Sequence, residues 1–161
     1  MKYALRFSLC IVCLAVLATA PIASAQSKLE GAWKMAEIST SNPDALKEIN
    51  VRSALIIFTK KHYSMMWIVG ANPRPDLPPK ATDTQLVEAW RPLIANSGTY
   101  EVNGTRFTIH PMLAKNPKVM KAGNFMTYEF ELTGNSLRIT LKENSFGEPA
   151  NSTDLLLDRI E

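Results

Sequence analysis

Apolar and polar residues alternate along much of this chain. From Phe125 to Leu132 (FMTYEFEL), Met126, Tyr128, Phe130 and Leu132 take every second position, with Thr127, Glu129 and Glu131 between them. A period of two marks a strand with one face buried and one in water. The same reading gives strands over Leu29–Ile38, Ala54–Thr59, His62–Val69, Thr99–Val102, Thr105–His110, Leu137–Lys142 and Leu155–Ile160. Lys60-Lys61 leaves a gap short enough for a hairpin, and Thr133-Gly134-Asn135-Ser136 is a turn. Asn103-Gly104 is the dipeptide that most favours a type I′ turn, so Thr99–Val102 and Thr105–His110 pair across it. Pro111 has no N–H to give and is expected to end the second of these strands; Met112–Asn124 then reads as irregular.

One stretch departs from the period of two. Thr82 followed by Gln85 forms a capping-box pair, and Leu86, Val87, Trp90, Leu93 and Ile94 fall at helical spacings, which predicts a helix over Thr82–Ser97. Arg91-Pro92 interrupts it, and a kink or break is expected there. Before this helix, Gly70–Lys80 (GANPRPDLPPK) holds four prolines and is neither helix nor central strand. Asn42-Pro43-Asp44 reads as a turn and Asp44–Asn50 as one or two helical turns.

Eight amphipathic strands with mostly short links define an all-β chain. The fold they predict is an eight-stranded antiparallel up-and-down barrel with one helical insertion between strands three and four. A two-sheet sandwich is the competing arrangement of the same strands.

The N-terminus changes the picture of what the working protein contains. Lys2 and Arg6 precede an apolar run from Phe7 to Ala20, and Ala23-Ser24-Ala25 makes a small-residue cleavage site. This is the pattern of a secretory signal over residues 1–25, with a run too short for a stop-transfer span. Cleavage leaves residues 26–161 as one domain, with no stable membrane span, in the periplasm or outside the cell. Cys10 and Cys13 leave with the signal, so no disulfide, thiolate metal site or cysteine nucleophile is expected. Lys2 and Arg6 leave too, and the formal charge falls from +3 to +1, which gives no electrostatic footprint for nucleic acid.

At Gly31-Ala32-Trp33 the chain resembles the lipocalins and the wider calycin group, which carry Gly-x-Trp at the start of strand one. The order of its elements is similar to the bacterial lipocalin-like domain family. Gly-x-Trp is followed by a hairpin, an insertion, SGTYEVNGTRFTIH, YEFELTGNSLRITL and a last strand ending LLLDRIE. The resemblance implies that Trp33 plugs one end of the barrel while Arg159, from the last strand, packs across it. Two features depart from the lipocalin pattern: the usual disulfide is impossible, and the helix lies between strands three and four instead of near the C-terminus.

Candidate chemistry is sparse. His62 and His110 are the histidines available as general bases, and His62 reads as an exposed turn residue. His110 shares a face with Thr108 and Arg106, opposite Phe107 and Ile109, which sets it outward or at a rim. No metal-ligand spacing, phosphate loop or activated serine appears, and no cofactor is implied. The interior is more informative. Tyr63, Met65, Trp67 and Val69 share one face of strand three; Met126, Tyr128 and Phe130 share one face of strand six. Together with Tyr100, and with Trp90 from a helix lying across an open end, they either line a lumen of aromatics and thioethers with phenolic hydroxyls as its polar handles, suited to a small apolar or amphipathic molecule, or simply fill the barrel as a packed core. The rival readings are a barrel isomerase, cyclase or hydratase using Tyr128, Glu129 or His110, and an interaction module using the proline-rich loop 70–80.

Overall fold

The computed structural model describes residues 27–40, 51–70, 74–146 and 153–161. The signal segment 1–25 with its cysteines, the turns expected over 42–50 and residues 71–73 of the proline-rich loop lie outside them. Eight strands follow in chain order: β1 Gly31–Thr40, β2 Val51–Phe58, β3 His62–Val69, β4 Leu93–Asn103, β5 Arg106–Ala114, β6 Met126–Thr133, β7 Ser136–Asn144 and β8 Thr153–Arg159. Each pairs antiparallel with the next, and β8 pairs back onto β1, closing the barrel. No sheet edge is left, so the sandwich is excluded. One helix, α1 (Asp83–Trp90), lies between β3 and β4, and a 3₁₀ turn at Pro117–Met120 lies between β5 and β6.

The two ends of the barrel differ in how their strands are joined. One end gathers the start of β1, the end of β8 and the three tight connections β2–β3, β4–β5 and β6–β7. The other receives every long connection, including α1 and the 3₁₀ turn. Trp33 is fully buried at the tight end and donates its indole N–H to Leu29 O at 2.8 Å. The Arg159 guanidinium stacks 4.1 Å from the Trp33 ring centroid and donates to Glu30 O and Lys28 O. Gly31 is required beside them: its φ is +131°, and a Cβ there would meet Glu161 O at 2.3 Å. Above this weld Phe58, Tyr100, Phe107, Tyr128 and Phe130 pack with ring centroids 5.0–6.0 Å apart, and this half of the lumen is filled.

Local chemistry departs from the sequence pattern in three places. The helix is half the expected length: Asp83–Trp90, with β4 starting at Leu93. Pro92 cannot continue the helical ladder, and its carbonyl instead accepts from Val69 N at 2.9 Å, which hands the chain to the sheet. The capping box forms as read, with Gln85 N–H donating to Thr82 Oγ1 and Thr82 N–H to Gln85 Oε1. Strand β5 passes through Pro111 and runs on to Ala114. Pro111 stands opposite Gly98, where a Cβ would lie 2.0 Å from His110 O, so the glycine lets the two backbones close up. The β4–β5 turn is not type I′: Asn103 pairs with Arg106, Gly104 has φ +60°, and no non-glycine residue has positive φ among the described residues. A glycine first in a two-residue loop fits type II′. Gly134, also at φ +60° between the paired Thr133 and Ser136, repeats it.

Candidate functional site

Strand β3 climbs from the welded end at His62 to the open end at Val69, so its inward residues sample the lumen level by level. Tyr63 and Met65 are 2% and 1% exposed, whereas Trp67 and Val69 face the same way but are only half-buried. Met35, Ile38, Met126 and Leu141 are inward and half-buried too. The exposure of the inward residues therefore rises from the aromatic floor toward the open end.

The open end is also where the ladders relax. Strands β1 and β2 pair only from Gly31 to Lys34, and β5 and β6 only from Arg106 to Ile109. Four register shifts, at Met35/Glu37, Val51/Ser53, Ser97/Gly98 and Thr127/Tyr128, each insert one residue midway along a strand or nearer this end. Such bulges bend and twist a strand and re-aim its side chains. After Met35 strict alternation would bring Glu37 inward; the bulge keeps it exposed and packs Ile38 against the core.

Against this mouth lies a groove of about 340 Å³, lined by Leu93, Ile94, Asn96, Ala114, Lys115 and Val119 among others. Lys115 N–H bonds Ala95 O at 2.8 Å, and its ammonium donates to the carbonyls of Trp90, Arg91 and Leu93, capping the end of α1. Arg74 Nε adds a bond to Ala89 O at 2.9 Å and stands 6.0 Å from the Trp90 ring centroid. These contacts tie the proline-rich segment, α1 and β5 together at the rim.

Among the described residues three side-chain polar atoms are buried without a hydrogen-bond partner: Tyr63 Oη, Asn96 Oδ1 and Trp67 Nε1. They sit on neighbouring strands, because Met65 stands opposite Asn96 and Trp67 opposite Ile94. An unmade bond in a buried place is costly, so such atoms call for an explanation. Burial pushes the Tyr63 and Tyr128 phenols above their ordinary pKa of 10.0, and the approach of Tyr128 raises Tyr63 further, so both hydroxyls are neutral at physiological pH. Tyr128 has only the thioether of Met126, 3.8 Å away. Thr140 is the one polar or charged residue other than these aromatics that is fully buried among the described residues, and it bonds Asp154 on the outer face.

The residues read from the sequence as lining a pocket thus divide. Tyr63, Met65, Trp67 and Met126 belong to the interior, while Tyr128, stacked 5.1 Å from Phe107, is part of the aromatic floor itself. Tyr100 and Phe130 belong to the packed floor: Tyr100 donates to Thr59 O at 2.8 Å and lies 5.0 Å from Phe58, and Phe130 lies against Phe107. Trp90 does not line the lumen; it is 53% exposed, because α1 buries only Ala89 and turns Leu86, Val87 and Trp90 outward. His110 and Glu129 face outward. His110 lies 3.6 Å from Glu101, and Glu129 is paired at 2.9 Å with Lys142, which lowers its pKa. Asn96 was invisible as a site residue in sequence, because Leu93–Ser97 carries helical spacing and gave no strand parity to place it.

The geometry defines a closed eight-stranded barrel sealed at one end, with inward residues that are only half-buried toward the other. No family model and no curated protein sequence matches the chain. Among solved structures it is similar to fatty-acid-binding protein 1 of Echinococcus granulosus, at 11% identity and TM-score 0.39, over 84% of this chain and 99% of that one. It is also similar to the fluorescent protein UnaG, at 12% identity and TM-score 0.37, over 83% of this chain and 98% of that one.

Proposed function

We propose that this chain is an exported, lipocalin-like binding protein that holds a small apolar or amphipathic molecule in the open half of its barrel, without chemistry of its own. The observation that carries the reading is the set of buried polar atoms without partners, Tyr63 Oη, Asn96 Oδ1 and Trp67 Nε1, set among apolar inward residues that grow more exposed toward one end. A barrel that only had to fold would fill these positions with leucine or phenylalanine, which leave nothing unsatisfied. Half-exposed Met35, Met126 and Trp67 supply a surface that adapts to shape, and the polar atoms orient what binds. Catalysis by His110 or Glu129 gains no support from their outward placement.

Native mass spectrometry of the protein purified from its own host tests the reading. A co-purified small molecule, lost from a Met65→Trp variant that fills the lumen, is the expected result. A protein that carries nothing and binds no apolar probe sinks it. Export through the N-terminal signal is checked on the same material: fractionation and N-terminal sequencing should give a mature chain beginning at Gln26.

A further inference from the structure

The polar atoms of the lumen also restrict which molecule fits, an inference that rests on the binding reading above. From mouth to floor the wall of β3 and β4 presents Trp67 Nε1, then Asn96 Oδ1, then Tyr63 Oη. An indole N–H can only donate and an amide oxygen can only accept, whereas a phenol does either. The complement is therefore a group that accepts at one level and donates at the next. No lysine, arginine, histidine or carboxylate is fully buried among the described residues. Burial also keeps the two phenols neutral, so they do not act as anionic partners.

We propose that the lumen selects an uncharged ligand bearing an adjacent acceptor and donor, such as an amide or a hydroxy-carbonyl on an apolar skeleton, and discriminates against the carboxylate of the same skeleton. A carboxylate fails twice. It offers no donor to Asn96 Oδ1, and taking its charge out of water costs more than burying a neutral carbonyl. A neutral ester fails once, through the missing donor alone. The order of affinity is thus amide, then ester, then carboxylate.

The test uses three fluorescent probes of one shape: 6-(dimethylamino)-2-naphthamide, the methyl ester of the corresponding acid, and 6-(dimethylamino)-2-naphthoate, each titrated into the full mature protein at pH 7.5. The amide is expected to bind about tenfold tighter than the ester, the worth of one hydrogen bond to a buried acceptor. The carboxylate is expected to bind weaker than the ester by at least about another tenfold. In Asn96→Leu the amide and ester should converge to within about twofold. In Trp67→Phe both neutral probes should weaken together, with a blue-shifted emission where the carbonyl loses its donor. Circular dichroism and melting confirm that each variant is folded. Carboxylate binding as tight as amide binding overturns this inference and leaves the binding reading standing, as does an amide–ester gap that survives Asn96→Leu. Failure of all three probes to bind overturns both.

Discussion

Three tyrosines of one barrel wall offer a test in which the same substitution changes sign with its surroundings. Tyr63 is 2% exposed and its hydroxyl has no partner; Tyr100 is 5% exposed and donates to Thr59 O at 2.8 Å; Tyr128 is 5% exposed with only a thioether at 3.8 Å. Replacing tyrosine by phenylalanine removes one oxygen and leaves the ring. At Tyr100 this breaks a made bond and is expected to cost about 1 kcal/mol, and it leaves the Thr59 carbonyl short of a donor. At Tyr63 it removes a buried group that was never satisfied, whose desolvation penalty is about 1–3 kcal/mol, so the ligand-free variant should gain about 1–2 kcal/mol. At Tyr128 the weak sulfur contact nearly offsets the desolvation, and the change should lie within about 0.5 kcal/mol of zero. In melting temperature these are shifts of about 4 °C per kcal/mol for a domain of this size.

Urea unfolding followed by tryptophan emission measures the series, with the midpoint read at unchanged slope. The expected separation between Tyr63→Phe and Tyr100→Phe is about 2–3 kcal/mol, beyond extrapolation error. Tyr63→Phe should also weaken binding of a neutral probe, so that stability and function move in opposite directions at one atom. If Tyr63→Phe destabilises the ligand-free protein as Tyr100→Phe does, the Tyr63 hydroxyl is bonded and the case for a polar binding wall fails at its root.

Four further outcomes follow from the geometry. Arg159→Lys keeps the charge but loses the fork that lies 4.1 Å from the Trp33 ring and reaches the Lys28 and Glu30 carbonyls, and should lower the unfolding free energy by about 1–2 kcal/mol. Gly98→Ala drives a Cβ to 2.0 Å from a backbone oxygen and should cost more than about 3 kcal/mol or prevent folding by circular dichroism. Gly134→Ala, with nothing within 4 Å but φ +60°, should cost about 1–2 kcal/mol. The phenols of Tyr63 and Tyr128 ionise in the unfolded chain near their ordinary 10.0 but higher in the barrel, so the unfolded state is favoured as pH rises past that value. Stability should be flat with respect to these groups up to about pH 10 and then fall by about 1.4 kcal/mol per pH unit for each phenol, a slope that Tyr63→Phe/Tyr128→Phe removes and that absorbance at 295 nm follows.

The strands were legible because a buried face imposes a period of two that water-facing residues cannot counterfeit; FMTYEFEL and LRITLK fall within or beside the β6 and β7 ladders. Closure by Trp33 and Arg159 was expected through the lipocalin resemblance at Gly31-Ala32-Trp33, and the stacked guanidinium beside a bare backbone at Gly31 gives its physical reason. What stayed hidden depends on contacts between segments far apart in sequence. Leu93–Ser97 has good helical spacing after Trp90, yet β3 lies ready with unpaired backbone groups, and pairing from Ile68↔Leu93 to Ser64↔Ser97 outweighs local propensity. Pro111 stops a strand by local rules, but opposite Gly98 the two backbones can approach and β5 goes on. Alternation also says nothing of where its phase slips, so Asn96 and Ile38 could not be placed inward before the register was known.

The same asymmetry connects these failures to the site. At the welded end tight turns, a stacked guanidinium and five packed rings leave each side chain one place to go, and sequence parity reads the structure correctly. Toward the other end ladders stop early, bulges insert residues, and the rim exposes Trp90, Ile94, Met112 and Leu113. A barrel under selection for stability alone would zip these ladders to the last residue and fill the lumen to its top. Here local rules are broken at the open end, and the unsatisfied Asn96 and Trp67 stand beside the broken ladders. Departures from local consistency gather where a protein works rather than where it merely folds. On the proposed reading, the stability forgone at Tyr63, Asn96 and Trp67 is recovered when a bound molecule completes their hydrogen bonds.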